Sequence, residues 1–292
     1  MNLAAELAPL RQRIVDRLET VLPESEAPPK NLHAAMRHGA LVPGKCVRGC
    51  LVYASGQALG IDVERLDRLA CAMELVHAYS LVHDDLPCMD DDDIRRGRPS
   101  CHAAYGEATA LLAGNALLLC AIMEVAGDEK SSEAQCSAGV ERLCKAAGSF
   151  GMVGGQQMDI ELENMAECQI DLLNEVYRLK TGCLFHVAVM LPTELMQVTQ
   201  EQREALDTYG RKIGLAFQIR DDLEDMEQDA LLAGNGVRPT YPVLLGVEES
   251  RKRLSDLGTE ALEALDVFGG QADLLRSLCQ WLTADSGNGN AA

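Results

Sequence analysis

Apolar side chains recur every three or four positions along most of this chain. Over residues 2–22 this spacing is set by Leu3, Leu7, Leu10, Ile14, Leu18 and Leu22. Such a stripe predicts an amphipathic helix with one buried face. The same spacing predicts further long helices over 62–85, 106–127, 131–150, 172–190 and 200–225, with two more in the tail from 247. No segment alternates as a strand does, so the sequence predicts an all-α fold of about ten core helices.

The segment 106–127 is apolar on most sides of its predicted helix. We expect a helix of this kind to be buried on most sides, and its pattern is equally compatible with a core and with an interface. We identify no run of ~20 apolar residues that would span a membrane, and the N-terminal segment carries charges throughout, unlike a signal peptide. The eleven cysteines are scattered without a Cys-x-x-Cys pair, which is typical of reduced thiols. These features predict a cytoplasmic protein without a membrane span.

Composition and charge narrow the class further. The 292 residues fit one large domain, so we treat 1–292 as a single unit with a frayed tail from 285. Hydrophobic residues make up 47% of the chain but aromatic residues only 4%, and a core of Ala, Leu, Val and Met favours helices over sheets. The formal charge of −19 would repel nucleic acid and anionic membranes. A phosphorylated substrate would need metal ions or local basic residues.

Residues 81–98, LVHDDLPCMDDDDIRRGR, concentrate six carboxylates and three arginines. Unpaired carboxylates this close would repel one another by ~1 kcal/mol per pair even in water. Either water solvates them as an exposed loop, or divalent cations bridge them. Asp84 and Asp90 would lie on different faces of a continuous helix, but Pro87 between them bends the chain. This bend can bring Asp90 back beside Asp84.

A second acidic cluster, in FQIRDDLED, favours the metal site. Asp221 and Asp225 are four residues apart, so they share one helix face. Each cluster follows an apolar helical segment, which suggests two helices that face each other across a central cavity. Mg²⁺ usually takes one or two protein carboxylates and completes its shell with phosphate oxygens. The sequence therefore predicts a cavity that holds metal ions and a polyphosphate.

Other polar residues stand at unusual positions. Lys45 and Arg48 lie in the first turn of a predicted helix, where the helix dipole disfavours cations unless an anion binds. They are either a binding pair or two solvated side chains. His77 shares a helix face with Asp84 and is either a core histidine or a phosphate donor. A Lys-Thr-Gly sequence at 180–182 interrupts a predicted helix at a cost of ~1 kcal/mol for the glycine, which suggests a kink or a functional opening.

Together these motifs are similar to those of bacterial short-chain trans-prenyl diphosphate synthases, and most like the farnesyl diphosphate synthases among them. The stretch HAYSLVHDDLPCMDDDDIRRGRPSCH resembles the first aspartate-rich motif of this family, and FQIRDDLED resembles the second. The resemblance extends from about residue 30 to 250 and includes GKCVRGCLVYASG, GMVGGQQMD, LKTG and PTYPVLLG. It implies an isoprenoid-synthase-type helical bundle around a central cavity, and a homodimer.

The resemblance also implies a reaction and a set of site residues. The reaction is the Mg²⁺-dependent head-to-tail condensation of isopentenyl diphosphate with dimethylallyl or geranyl diphosphate, which gives (2E,6E)-farnesyl diphosphate. Three Mg²⁺ ions, for which Mn²⁺ can substitute, would be held by Asp84, Asp90 and Asp221, with Asp85, Asp222 and Asp225 nearby. Isopentenyl diphosphate would be bound by Gly44, Lys45, Arg48, His77 and Arg96. The allylic diphosphate would be bound by Arg95, Lys180, Thr181, Gln218 and Arg238, of which the first four are also assigned catalytic roles.

Chain length is assigned to Tyr79 and Ser80. Tyr79 lies five residues before Asp84, which places it toward the deep end of the predicted cavity. In the family, a bulky aromatic residue at this position stops the product at the farnesyl length. Ordinary core packing is the alternative role for Tyr79.

Four features depart from the family's pattern. The family's GGKRLRP reads PGKCVRG here, so Cys46 replaces an arginine and Gly49 a proline. Asn115 replaces the aspartate of GDALL. The loop after Asp229 is shorter and lacks a lysine, and Arg238 stands in place of the lysine of KPTYP-like motifs. These departures suggest reduced or altered activity.

Several alternatives stay open. Within the family, the product could be geranyl or geranylgeranyl diphosphate. A metal phosphohydrolase of the HD type would use His33, His77 and His83 with Asp84, but it leaves the second acidic cluster unexplained. A terpene cyclase would need an Asn/Ser/Glu second motif where this chain has DDLED. A non-catalytic subunit of a heteromeric synthase is suggested by Cys46 and by the short loop.

Overall fold

The computed structural model describes residues 2–41, 44–163, 165, 168–229 and 239–284. Its regular structure is almost entirely helical, which confirms the predicted all-α class. The helices of the first half are α1 (Leu3–Val21), α2 (Lys30–Ala40), α3 (Val47–Ala58), α4 (Asp67–Asp84), α5 (Cys101–Tyr105), α6 (Glu107–Ala126) and α7 (Glu133–Ala147). Those of the second half are α8 (Met152–Glu163), α9 (Ile170–Tyr177), α10 (Cys183–Met190), α11 (Gln200–Asp229), α12 (Tyr241–Leu245), α13 (Val247–Ala264) and α14 (Asp273–Leu282). Short 3₁₀ segments cover Val63–Arg65, Leu191–Glu194 and Leu265–Ala272.

Helices α4 and α11 form the centre of the bundle. Helix α4 packs against α1, α2, α3 and α6, and α11 packs against α10, α12, α13 and α14. Leu75 and Val76 of α4 and Ile213 of α11 are fully buried. The Tyr209 hydroxyl of α11 donates to the Leu275 carbonyl oxygen at 2.7 Å and so fixes α14 to the centre. Each acidic motif is thus carried by a helix whose position is set by core packing on several sides.

Helix α6 differs from our expectation of burial on most sides. It packs against α2, α4 and α7, yet Leu112, Leu119 and Met123 are 56%, 60% and 68% exposed. By length and composition α6 is apolar enough to cross a membrane, with a mean hydropathy of 1.8, which corrects our statement that no such run exists. A core helix passes the same test. The buried Glu124 of α6 accepts from Arg17 of α1 at 2.7 Å.

The predicted opening at Lys-Thr-Gly is confirmed as a π-helical segment, Arg178–Gly182, between α9 and α10. Two neighbouring helices approach it at glycines. A Cβ atom at Gly155 of α8 would lie 2.1 Å from the Lys180 backbone nitrogen, and one at Gly214 of α11 would lie 2.8 Å from the Gly182 Cα. The π-helical segment therefore packs between α8 and α11 through close backbone contacts, and a residue larger than glycine at position 155 or 214 would clash there.

One small sheet was not predicted. Strands β1 (Ile94–Arg95) and β2 (Arg98–Pro99) form an antiparallel hairpin inside the first acidic motif. Arg96 and Gly97 between them have φ of 52° and 73°, as in the two-residue type I′ turn that suits hairpins. The strands are too short to show alternation, which is why the sequence pattern missed them.

Candidate active site

The first acidic motif begins where α4 ends. The chain reverses after Asp84, and the Asp90 N–H donates to the Asp84 carbonyl oxygen at 2.9 Å. The predicted return of Asp90 to Asp84 is therefore confirmed for the backbone. Burial raises the pKa of the Asp84 carboxyl to about 6, because a charged carboxylate is disfavoured away from water. The Lys180 ammonium opposes this shift, so a cation already acts on Asp84 from across the site.

Asp221 of the second motif lies on the wall of the same cavity as Asp84. This large cavity has a volume of about 530 Å³, within the usual range for small-molecule sites. Burial raises the pKa of the Asp221 carboxyl to about 7, with the Arg220 guanidinium opposing. Two partly buried carboxylates on one cavity wall are a donor set that divalent cations stabilise.

The donor set fits substrate-bridged Mg²⁺ rather than a closed metal cage. Within the described part of the chain, no three Asp, Glu, His or Cys side chains gather closely enough to hold a metal ion alone. Mg²⁺ typically binds one or two carboxylates and takes its remaining ligands from water and substrate phosphates. Carboxylates that reach one cavity from separate helices, α4 and α11, suit that mode of binding.

Asp85 and Arg95, which we predicted as a metal residue and a catalytic residue, contact each other. Asp85 is 2% exposed and accepts from Arg95 Nε at 2.8 Å. A second nitrogen of Arg95 lies 2.9 Å from Asp92. The hydrogen bond that Arg95 donates to the Asp85 carboxylate raises the pKa of Arg95. Neither Asp85 nor Arg95 is among the described residues that line the large cavity, so Asp85 acts here on the orientation of Arg95.

Asp222 and Asp225 also differ from Asp221 in their surroundings. Asp222 is buried and accepts from the Tyr177 hydroxyl at 2.7 Å and from the Tyr241 N–H at 3.0 Å. It therefore ties α9 and the start of α12 to α11. Asp225 is exposed, one helical turn after Asp221.

Lys180, Thr181 and Gln218 all line the large cavity. The Thr181 hydroxyl donates to Gln218 Oε1 at 2.9 Å, across the contact between the π-helical segment and α11. The Lys180 ammonium pairs with Asp159, which is 4% exposed on α8. These contacts give all three polar groups a fixed direction at the wall of the cavity.

A second, smaller cavity of about 420 Å³ adjoins the first. Its lining includes all five residues predicted for isopentenyl diphosphate, namely Gly44, Lys45, Arg48, His77 and Arg96. The two cavities share Arg48, His77, Phe217 and Asp221. Two ligands bound in these cavities would therefore meet at this shared wall.

Arg48 is a buried cation of this cavity, and the Glu74 and Asp221 carboxylates act on its charge. Its guanidinium carbon lies 4.9 Å from the centre of the Phe185 ring, and its buried Nε has no hydrogen-bond partner. Burial lowers the pKa of Arg48 and lowers that of His77 well below its ordinary value, so the imidazole is neutral. A buried guanidinium with an unused donor is costly, and a bound phosphate would remove that cost.

Tyr79 and Ser80 also line the large cavity. Tyr79 is 5% exposed, and its ring meets His83 edge to face at 5.6 Å. His83 is in turn held by a 3.0 Å hydrogen bond between Nε2 and the Leu111 carbonyl oxygen. The Ser80 hydroxyl donates to the His77 carbonyl oxygen within α4 at 3.0 Å. Tyr79 thus both packs in the core and faces the cavity, so its two predicted roles are compatible.

Sequence reasoning missed some residues of the site. Arg220 and Glu74 line the smaller cavity, and Glu74 accepts from the Gly49 N–H at 2.8 Å. Arg220 could have been found as the basic residue directly before the second acidic motif. Met152 and Leu184 line the large cavity, but helical spacing alone cannot separate cavity-lining residues from core residues. Arg238 lies outside the described residues.

Comparison with known proteins agrees with this geometry. The family model described as polyprenyl synthetase matches residues 29–261, so the chain belongs to the polyprenyl synthetase family. The farnesyl diphosphate synthase of Escherichia coli (strain K12) is 41% identical over 249 residues, which cover 81% of this chain and 82% of the relative. That of Bacillus subtilis (strain 168) is 37% identical over 284 residues, which cover 94% of this chain and 95% of the relative.

Solved structures give the same fold. A FPP/GFPP synthase from Zymomonas mobilis superimposes with a TM-score of 0.90 at 35% identity and covers 97% of this chain and 99% of its own. A geranyltransferase from Legionella pneumophila also reaches 0.90, at 33% identity and 98% coverage of both chains. The isoprenoid-synthase-type bundle predicted from the sequence is confirmed.

Proposed function

We propose that this chain condenses isopentenyl diphosphate with dimethylallyl and then geranyl diphosphate, with Mg²⁺, to give (2E,6E)-farnesyl diphosphate. The family and the names of the relatives support this class of reaction. The observation that carries the proposal is the pair of adjoining cavities, one with Asp84 and Asp221 on its wall and one whose mixed lining includes four basic side chains, Lys45, Arg48, Arg96 and Arg220. The allylic substrate would occupy the large cavity and isopentenyl diphosphate the smaller one.

Asp84, Asp90, Asp221 and Asp225 would hold the metal ions. Bound Mg²⁺ supplies positive charge that stabilises the departing diphosphate. The Lys180 ammonium, held in place by its ion pair with Asp159, adds a positive charge at the lining of the same cavity. Charge placed in advance where the leaving group develops its own is the largest catalytic contribution in many sites. The proposal includes three bound ions and the substitution of Mn²⁺ for Mg²⁺.

The shared wall supports the carbon–carbon bond formation. The allylic C–O bond breaks, and its electron pair leaves with the diphosphate. The Thr181 hydroxyl oxygen and Gln218 Oε1, already oriented by their 2.9 Å hydrogen bond, direct lone pairs toward the allylic cation. The double bond of isopentenyl diphosphate then attacks this cation, and a proton leaves the new chain for an oxygen of the departed diphosphate. The apolar lining, which includes Met152 and Leu184, keeps water from the cation.

We propose that the closed end of the large cavity limits the product to the farnesyl length. The relatives differ in this respect, since a geranylgeranyl pyrophosphate synthase of Capsicum annuum is 37% identical over 82% of this chain. The buried Tyr79 ring, braced by His83, supports a cavity that is closed beyond a farnesyl chain.

The other enzyme classes and the non-catalytic role have less support. Two of the histidines that a phosphohydrolase would use as metal ligands are instead hydrogen-bonded to the backbone. His83 bonds to the Leu111 carbonyl oxygen and His33 to the Ala27 carbonyl oxygen. A non-catalytic subunit is disfavoured because Asp84 and Asp221 line one cavity. Neither alternative explains the cationic cavity beside the acidic one.

We further propose that the chain forms a homodimer through α6 and acts in the cytoplasm. Leu112, Leu119 and Met123 form an apolar strip along α6, and exposed strips of this kind usually mark an interface. All eleven cysteines are free thiols, which supports a reducing compartment.

The direct test is product analysis. Purified protein with Mg²⁺, isopentenyl diphosphate and dimethylallyl diphosphate should form farnesyl diphosphate, identified after dephosphorylation by gas chromatography and mass spectrometry. The same reaction with EDTA serves as the control. Release of inorganic phosphate without a new prenyl chain would refute the proposal.

A further inference from the structure

The only tryptophan in the sequence carries two cations on its ring. Trp281 of α14 has the Lys45 ammonium 5.2 Å and the Arg220 guanidinium carbon 5.6 Å from its ring centre. Both distances are within the ~6 Å range of cation–π attraction. Lys45 and Arg220 both line the smaller cavity. Helix α14 therefore lies behind two residues of this cavity's wall, whose described lining comes from residues 44–48, α4, α11 and the first acidic motif.

Backbone contacts fix the same arrangement. A nitrogen of Arg220 donates to the Trp281 carbonyl oxygen at 3.2 Å. On the other side, Arg11 Nε of α1 donates to the Lys45 carbonyl oxygen at 2.9 Å. Helix α14 also packs against α3 and α11, which carry the neighbours of Lys45 and Arg220. Both cations are thus held by main-chain contacts as well as by the ring.

Arg220 is prepared to bind an anion. Its side chain is 9% exposed, and its guanidinium carbon also lies 5.2 Å from the Phe217 ring centre. Its buried Nε makes no hydrogen bond but lies 3.2 Å from the Glu224 carboxylate, and another of its nitrogens lies 3.7 Å from the Asp221 carboxylate. A guanidinium shielded by two rings keeps little water, and its planar donors match a phosphate.

We propose that Arg220 is a further binding residue for the diphosphate of isopentenyl diphosphate and that Trp281 is the residue that positions Arg220 and Lys45 for it. This inference rests on the proposed function, which places that substrate in the smaller cavity. It also accounts for a departure from the family's pattern. Cys46 lines this cavity where the resemblance predicts an arginine, and Arg220 supplies a guanidinium to the same cavity.

The kinetic test uses four variants, Trp281→Leu, Trp281→Phe, Arg220→Gln and Arg211→Gln. The KM for isopentenyl diphosphate should rise about tenfold in Trp281→Leu and Arg220→Gln, because a ground-state contact is lost. In Trp281→Leu, which keeps the cation beside Asp221, kcat should change less than about twofold and the KM for geranyl diphosphate should stay unchanged. Arg220→Gln also removes a cation that opposes the raised pKa of Asp221, so only its KM for isopentenyl diphosphate enters the test. Trp281→Phe keeps an aromatic face and should stay within about threefold of wild type. Arg211→Gln makes the same charge change on α11 at a residue paired with Asp207, and it should match wild type.

A binding measurement removes the dependence on turnover. Isopentenyl diphosphate alone should change the fluorescence of the wild-type protein, because Trp281 is its only tryptophan. Arg220→Gln should shift the midpoint of this titration about tenfold. If Trp281→Leu does not fold, Arg220→Gln, which leaves α14 intact, decides the outcome. An unchanged KM for isopentenyl diphosphate in folded Arg220→Gln overturns this inference but leaves the proposed function standing. Absence of prenyl product from the wild type would instead overturn the proposed function.

Discussion

Replacing Tyr79 with alanine should shift the product from farnesyl toward geranylgeranyl diphosphate. The Tyr79 ring lines the large cavity and is held edge to face against His83 at 5.6 Å. His83 is anchored on α6 through the Leu111 carbonyl oxygen, so the ring cannot swing away easily. Its removal opens space in line with the growing chain.

The magnitude follows from burial. One further isoprene unit gains about 4 kcal/mol when its five carbons enter an apolar space, at ~0.8 kcal/mol for each carbon. With the ring intact the same unit finds no such space, so this gain is absent and an overpacking cost of about 1–3 kcal/mol opposes the longer chain. Because 1.4 kcal/mol is a factor of ten, the longer product should change from a minor to a major component. The substitution should also lower the free energy of unfolding by about 3–5 kcal/mol, as other aromatic-to-alanine changes in cores do.

The assay compares products of wild type, Tyr79→Ala and Tyr79→Phe with isopentenyl and geranyl diphosphates. Chromatography of the dephosphorylated products gives the chain-length ratio, and thermal unfolding shows whether each variant is folded. Tyr79→Phe is the matched control, because the Tyr79 hydroxyl makes only a 3.5 Å contact with the Ala147 carbonyl oxygen. A folded Tyr79→Ala protein that still stops at farnesyl diphosphate would show that Tyr79 is only a core residue.

Three further predictions concern the metal site, the π-helical segment and the interface. Asp221→Asn should lower kcat about 10²-fold or more, since it removes a carboxylate that would hold the Mg²⁺ ions that stabilise the leaving group. Circular dichroism should stay unchanged, and activity near wild type would contradict this prediction. Gly155→Ala should lower the free energy of unfolding by about 1–3 kcal/mol and reduce kcat, because its new Cβ would lie 2.1 Å from a backbone nitrogen. The control Gly270→Ala should change neither quantity, because the nearest atom to its new Cβ would be 3.9 Å away. Equal effects in the two variants would refute the role of the contact at Gly155. Leu119→Lys should convert a dimer to a monomer in light scattering after size exclusion, and a wild-type monomer would remove α6 as the interface.

The meeting of the two acidic motifs could be predicted from sequence because it follows from charge. Asp84 and Asp221 each come after an apolar helical segment. Two acidic clusters placed in this way repel each other unless a cation is bound between them. The Lys-Thr-Gly opening was predictable from Gly182, which is costly inside a helix. Its cause was not, because the close approaches at Gly155 and Gly214 are tertiary contacts.

Three features of the site and its surroundings could not be predicted, because each depends on contacts between residues that the sequence pattern does not relate. Asp84 and Asp85 are adjacent and chemically identical, and only the fold shows that Asp85 faces Arg95. Helix α6 has an apolar pattern that a core and an interface share, so the sequence could not show which of its apolar residues face away from the core. Trp281 and Lys45 lie near opposite ends of the chain, and no local pattern relates them.

The central claim is that Asp84 and Asp221 together bind one metal-bridged diphosphate. Isothermal titration of inorganic diphosphate, with and without Mg²⁺, tests it in wild type, Asp84→Asn and Asp221→Asn. The account predicts Mg²⁺-dependent binding in the wild type and loss of that dependence in each variant. Wild-type affinity with Mg²⁺ in either folded variant would contradict it.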